Sequence, residues 1–154
     1  LPGFIGDISY AQSNRERYEG FCQALADAGK KVDSSLCLTT PLGIDTYREE
    51  IDTFLSSLSR MPDAFVCASD YVACILMQLL EKRGLRVPED VAVSGFDNNT
   101  EDLLAEHLTT VQVFNEELGA RLALQILYRI KYPNTPHEIT YLGTNVLYRD
   151  STGD

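Results

Sequence analysis

The segment RVPEDVAVSGFDN, residues 86–98, places a short apolar strand (Val91, Ala92, Val93) directly before Gly95 and a carboxylate, Asp97, with Asn98 beside it. In open α/β sheets ligands bind outside the carboxyl ends of the strands, where the connecting loops converge on a crevice. A carboxylate just past such a strand is therefore a candidate polar anchor. Outward from this segment the chain alternates apolar runs with amphipathic stretches, the pattern of parallel βαβ units. Phe4-Ile5-Gly6 ends a first strand, Val32–Leu38 is a second, weaker one, and Ala64–Ala68 is apolar enough for a central strand. Leu108–Val113 follows as a fifth, and Ile139–Leu142 and Val146–Tyr148 read as two short terminal strands.

The helices carry the 3.6-residue period. Ser13 is placed as an N-cap with Glu16 three residues on, a capping box, and Tyr18, Phe21, Leu25 and Ala28 recur along that helix until Gly29 ends it. Asp45–Arg60 puts Tyr47, Ile51, Phe54, Leu55 and Leu58 on one face, and Met61-Pro62 stops it. Ser69 or Asp70 caps a helix to Arg83, followed by Gly84. Its residues Val72, Ile75, Leu76, Leu79 and Leu80 nearly surround it, which predicts deep burial. Asn115–Ile130 shows an i, i+4 stripe of Leu118, Leu122, Ile126 and Ile130. The expected fold is α/β, three-layered, a mostly parallel twisted sheet with helices on both faces.

Composition narrows the function. The 154 residues carry 13 Lys and Arg against 23 Asp and Glu, a net charge of −10. That balance argues against nucleic-acid binding by this chain alone, since phosphate neutralisation needs clustered cations. No apolar run reaches the length of a membrane span, and no leader pattern opens the chain. Leu1 is not a start methionine, so the sequence reads as a piece of a longer protein. Cys22, Cys37, Cys67 and Cys74 match no zinc or redox spacing and read as free thiols of a cytoplasmic protein. No metal site and no cofactor are expected.

Catalytic patterns are missing: no GxSxG, no HExxH, no GxGxxG and no GxxxxGK[ST]. The expectation is a protein that is not an enzyme. Polar groups do gather at strand-to-helix turns: the loop Asp7–Asn14 with Arg15 and Arg17 behind it, then Ser69-Asp70, then Asp97-Asn98. An arginine fork and carboxylate acceptors together can bracket a polyhydroxylated ligand or an anion. Singly, each has a plainer explanation. An arginine in a first helical turn is a solvated charge, Asp70 is an N-cap, and Asp97 stabilises a turn. Their convergence on one sheet edge makes Arg17, Asp97, Ser69, Asp70, Asn98 and Arg15 the candidate ligand-binding set.

Four segments, in order, carry a family resemblance. Ser13–Phe21 resembles the S-x-x-x-R-x-x-G-[FYW] segment of the LacI/GalR regulators, Pro62–Asp70 their P-x-A-[IV]-x-x-x-[NS]-D strand and turn, VPEDVAVSGFDN their most specific motif, and Leu108–Val111 their LTT[VI] strand. The resemblance implies a transcriptional regulator with a helix-turn-helix headpiece and a two-lobed, periplasmic-binding-protein-like effector domain. Residues 1–154 would be its C-terminal lobe, the headpiece and most of the first lobe lying elsewhere. It pairs Arg17 with Asp97 as ligand contacts, with Ser69 or Asp70 nearby. Ser69 replaces a frequent asparagine, which weakens any link to one particular sugar. It implies a sugar-like small-molecule effector, a homodimer, operator contact only through the headpiece, and no membrane partner.

The resemblance also implies that helix 115–130 crosses over to pack in the first lobe. Left bare, several large aliphatic side chains would each cost about 1.5–3 kcal/mol, so that face is expected to dock on a second copy when the lobe is missing. The alternatives are an extracytoplasmic sugar-binding protein of a transport system, which shares the architecture, and an enzyme on a flavodoxin-like sheet.

Overall fold

The computed structural model describes residues 1–43, 45–99 and 103–153. Four parallel strands form the central sheet: β1 (Pro2–Ile5), β2 (Cys37–Leu38), β3 (Ala64–Cys67) and β4 (Ala92–Ser94), in the order β2-β1-β3-β4. β1 and β3 run in register from Pro2 opposite Ala64 to Ile5 opposite Cys67. A fifth strand, β5 (Thr110–Gln112), continues this edge through parallel bridges of Ser94 to Thr109 and Asp97 to Gln112, and it pairs antiparallel with β6 (Asn145–Leu147).

The strands are apolar on both faces because both faces are covered. On one side helix α1 (Gln12–Asp27) lays Phe21 and Leu25 against Phe4 and Ala68. Phe4 meets Tyr18 edge-on at 5.1 Å, a geometry aromatic quadrupoles favour. On the other side α2 (Tyr47–Ser57) and α3 (Asp70–Lys82) pack Ile51, Leu55, Leu76 and Leu80 on Ile5, Phe65, Cys67 and Val93. The alternation Phe4/Ile5 and Val66/Phe65 thus splits one sheet between two cores, giving the three layers expected. α3 buries eight of its residues, Asp70 included. Gly29 and Gly84 close α1 and α3 at φ 66° and 73°, with Lys30 N–H donating to Leu25 O and Leu85 N–H to Leu80 O, the left-handed termination glycine permits without a Cβ clash.

Several boundaries differ from the sequence reading, each for a local reason. α1 begins at Gln12, with Ala11 rather than Ser13 at the cap position and no side-chain cap bond. The preceding loop is organised instead by Asp7, whose carboxylate accepts from Ser9 and Tyr10 N–H while its carbonyl accepts from Asn14 Nδ2. The second strand shrinks to Cys37–Leu38 because Asp33 accepts from both the N–H and hydroxyl of Ser35 and winds residues 34–36 into a 3₁₀ turn. α2 is shorter at both ends than 45–60, since Thr46 N–H donates to Gly43 O before the helix starts at Tyr47 and Leu58 is already extended. Residues 139–142 form no strand. They have no neighbouring strand to pair with among the described residues, and Thr140 is tethered to Gln125 of the last helix.

That helix, α4 (Asn115–Lys131), forms as the pattern indicates but buries no residue. Leu118, Leu122, Ile126 and Ile130 are 47%, 58%, 52% and 72% exposed. Among the described residues nothing buries this apolar stripe. None of the four cysteines forms a disulfide, and no described helix is long and apolar enough to cross a membrane.

Candidate functional site

The carboxyl ends of β1, β3 and β4 meet at one edge. Arg17, two turns into α1, reaches back over that edge. Its Nη1 donates to the carbonyl of Ala68, just past β3, and its Nη2 lies 3.4 Å from Asp97 Oδ1, past β4. The guanidinium also stacks over the ring of Phe96, 3.7 Å from its centroid, a cation–π contact. Arg17 is 20% and Asp97 43% exposed at the side chain, so the pair sits at a rim open to solvent. Burial pulls the Arg17 pKa down, against the attraction of Asp97 and Asp70. Burial pushes the Asp97 carboxyl up; Arg17 opposes this and the negative charge of Asp70 adds to it. One long contact leaves the second carboxylate oxygen of Asp97 without a hydrogen bond among the described residues.

The turn that carries Asp97 is built for position rather than comfort. Asp97 and Asn98 have φ of 112° and 54°. Left-handed backbone at non-glycine residues costs on the order of 1–3 kcal/mol each and persists only where the surroundings hold it. Here Asp97 N–H donates to Val111 O at 3.0 Å, Asn98 N–H to Thr110 Oγ1 at 3.3 Å and Asn99 N–H to Asp70 Oδ2 at 2.7 Å. Asp70 is the post for this turn. Only 2% exposed, it accepts from the Thr110 hydroxyl at 2.6 Å and its own N–H donates to Phe96 O at 2.8 Å. Burial raises its pKa, while Thr110 and the Asn99 N–H counteract. Gly95 makes this docking possible: a Cβ there would stand 2.2 Å from Asp70 Oδ1 and 2.9 Å from Leu108 Cδ2.

The six sequence candidates therefore separate. Arg17 and Asp97 come together. Ser69 lies at the same edge and caps α3, its Oγ accepting from Val72 N–H. Asp70 turns inward and holds the Asp97 turn. Asn98 accepts at its Oδ1 from Arg149 Nη2 at 2.8 Å. Arg15 is exposed and joins none of these contacts, as positions i and i+2 of a helix face apart. Phe96, Thr110 and Arg149 were not among the candidates. Phe96 and Thr110 stood inside quoted motifs without a charge to draw attention, and Arg149 is 51 residues from Asn98, too far for spacing to reveal. No group of three or more His, Cys, Asp or Glu among the described residues could hold a metal ion.

Comparison with known proteins agrees with this architecture. Residues 2–152 match the family described as a periplasmic binding protein-like domain. The chain belongs to that family. Within it, the relatives are LacI/GalR regulators. The transcriptional regulator DegA of Bacillus subtilis is 35% identical over 117 residues, 75% of this chain and 34% of DegA. The repressor PurR of Photobacterium profundum is 29% identical over 154 residues, 99% of this chain and 46% of PurR. The structure of a CelR–cellobiose complex superposes with a TM-score of 0.86 at 29% identity, covering 97% of this chain and 46% of that one. The chain thus spans a third to a half of the length of these relatives.

Proposed function

We propose that this chain is the effector-sensing lobe of a LacI/GalR-type transcriptional regulator and contributes one wall of a cleft for a sugar-like small molecule. The observation that carries the reading is the Arg17–Asp97 pair, a donor fork and an acceptor held 3.4 Å apart at the open carboxyl edge of the sheet. Such a pair can serve vicinal hydroxyls, with Arg17 donating to their oxygens and Asp97 accepting their protons. The Ser69 hydroxyl adds a third polar group and Phe96 an apolar one. Asp70 and Asn98 act behind them, and Arg15 is left exposed outside these contacts. The cellobiose of the CelR complex supports a saccharide as the class of ligand.

In the whole protein, effector binding between two lobes favours one lobe angle, which alters operator affinity through a headpiece outside this chain. The effect is a difference in affinity for two states, typically about 1–3 kcal/mol. The protein works as a cytoplasmic homodimer without catalytic activity, and α4 packs against the other lobe.

The test uses the full-length regulator and calorimetric titration against saccharides, cellobiose among them. A saccharide that binds wild type should lose at least tenfold in affinity with Asp97→Ala, while operator binding without effector persists. An Asp97→Ala variant that still responds to that saccharide refutes the site.

A further inference from the structure

We infer that Arg149 is a positioning residue for the effector site: it clamps the left-handed turn that presents Asp97 to Arg17, and so ties the site to the chain returning from α4 and β6. The inference rests on the reading of Asp97 as a ligand contact.

The Asp97 turn is held by Asp70 from α3 and by Thr110 and Val111 from β5. The third support comes from the far end of the chain. Arg149 spreads its fork over three acceptors, Nη1 donating to Ala105 O and to Leu108 O, both at 2.9 Å, and Nη2 to Asn98 Oδ1 at 2.8 Å. A planar guanidinium can meet three such acceptors at once, whereas a lysine ammonium is a single flexible point. Two of these acceptors are backbone carbonyls of the segment leading into β5, and the third is the side chain of the residue after Asp97. Arg149 therefore links Asn98 to the carbonyls of Ala105 and Leu108.

The backbone around Arg149 is itself pinned. Arg149 N–H donates to Thr109 Oγ1 at 2.8 Å, and that hydroxyl donates to Arg149 O at 3.0 Å. Two residues on, Ser151, 2% exposed, donates to Val93 O at 2.6 Å and accepts from Thr109 N–H at 2.8 Å. The backbone that carries the guanidinium is thus anchored to β4 through Val93 and to Thr109, which leads into β5. Covalently it follows β6 (Asn145–Leu147), on the path back from the unpartnered α4. A shift of that returning segment would reach Asn98, and through it Asp97, by one side chain.

The experiment compares full-length wild type with Arg149→Ala, Arg149→Lys and Asn98→Gly. Asn98→Gly removes the Arg149 acceptor while suiting the φ of 54°, so it folds even if Arg149→Ala does not. Hydrogen exchange needs no ligand. The amides of Asp97, Asn98 and Asn99 should exchange at least tenfold faster in Arg149→Ala and Asn98→Gly, with those of α3 unchanged and Arg149→Lys between. The Asp97 carboxyl, followed by NMR, should titrate at a different pH in the same two variants, because its distance to Arg17 is no longer fixed. Unchanged protection in the turn, or uniform loss across α3 and the turn alike, overturns the inference. Cellobiose titration is the separate arm. If wild type binds it, Asn98→Gly should weaken it about tenfold, and adding Asp97→Ala should remove any further effect. If wild type does not bind cellobiose, that disaccharide is excluded as its effector, and exchange and titration still decide the role of Arg149.

Discussion

Helices α3 and α4 both carry large aliphatic side chains at helical spacing, yet α3 buries eight residues and α4 buries none. α3 has core on both flanks, against β3, β4 and α2. α4 offers Leu118, Leu122, Ile126 and Ile130 to solvent. Periodicity states that a helix has a face to bury; it does not say where the partner is, and most helical stability comes from that partner. The contrast divides the described residues into a body with its own buried cores, to which Ser151 of the returning segment is fastened through Val93, and an exposed arm, α4.

The largest expected effect tests that division. Leu76→Ala, at a fully buried site, should lower unfolding free energy by about 2–5 kcal/mol. Leu122→Ala, 58% exposed, should change it by less than about 0.5 kcal/mol in this chain at dilution, read by urea denaturation. On the proposal that α4 packs against the other lobe, the Leu122 substitution should become expensive in the full-length protein. Equal losses at dilution would show that α4 is packed without its lobe, and light scattering would then find a second copy on it.

Much of the body was legible because its signals are local. The run Ala64–Ala68, the near-continuous apolar surface of α3 and the glycines after α1 and α3 each fix one element within a few residues. What escaped was set by side chains acting at a distance. Asp7 moved the start of α1 away from Ser13, and the Asp33–Ser35 turn cut the second strand short. At the site, Arg17 and Asp97 were readable as charged residues at turns of one sheet edge. The distinction between Asp97, which faces solvent, and Asp70, which faces Thr110 and Asn99, was not: both are aspartates after parallel strands. Only the close approach at Gly95 separates them.

A mutation of intermediate effect exploits that approach. Gly95→Ala would drive a Cβ into the Asp70 carboxylate and Leu108, and overpacking of this kind costs about 1–3 kcal/mol. Because it displaces the post of the Asp97 turn, it should also reduce effector affinity in the full-length protein, unlike Leu122→Ala. A Gly95→Ala protein of lowered stability but undiminished affinity would separate the post from the site.

The smallest effect comes from acid. Asp90 is held down to about 2, chiefly by its side-chain hydrogen bonds with Arg86, aided by the Arg86 N–H. With a depressed folded pKa, its contribution is present above the unfolded value of 3.8 and is lost as pH falls toward 2. Asp70 has the opposite sign. Its raised pKa means that its share is present below 3.8 and is lost as pH rises through the folded value. Both groups lie in the body, so acidification should act on the body's cooperative unfolding rather than on the arm. Asp90→Asn should therefore destabilise the chain slightly above pH 4, and the difference should shrink as pH falls to 2, where wild-type Asp90 is itself taking up its proton. Urea midpoints of the two proteins that converge on acidification meet this expectation. A constant gap down to pH 2 would mean that the Arg86–Asp90 link acts through turn geometry, not charge.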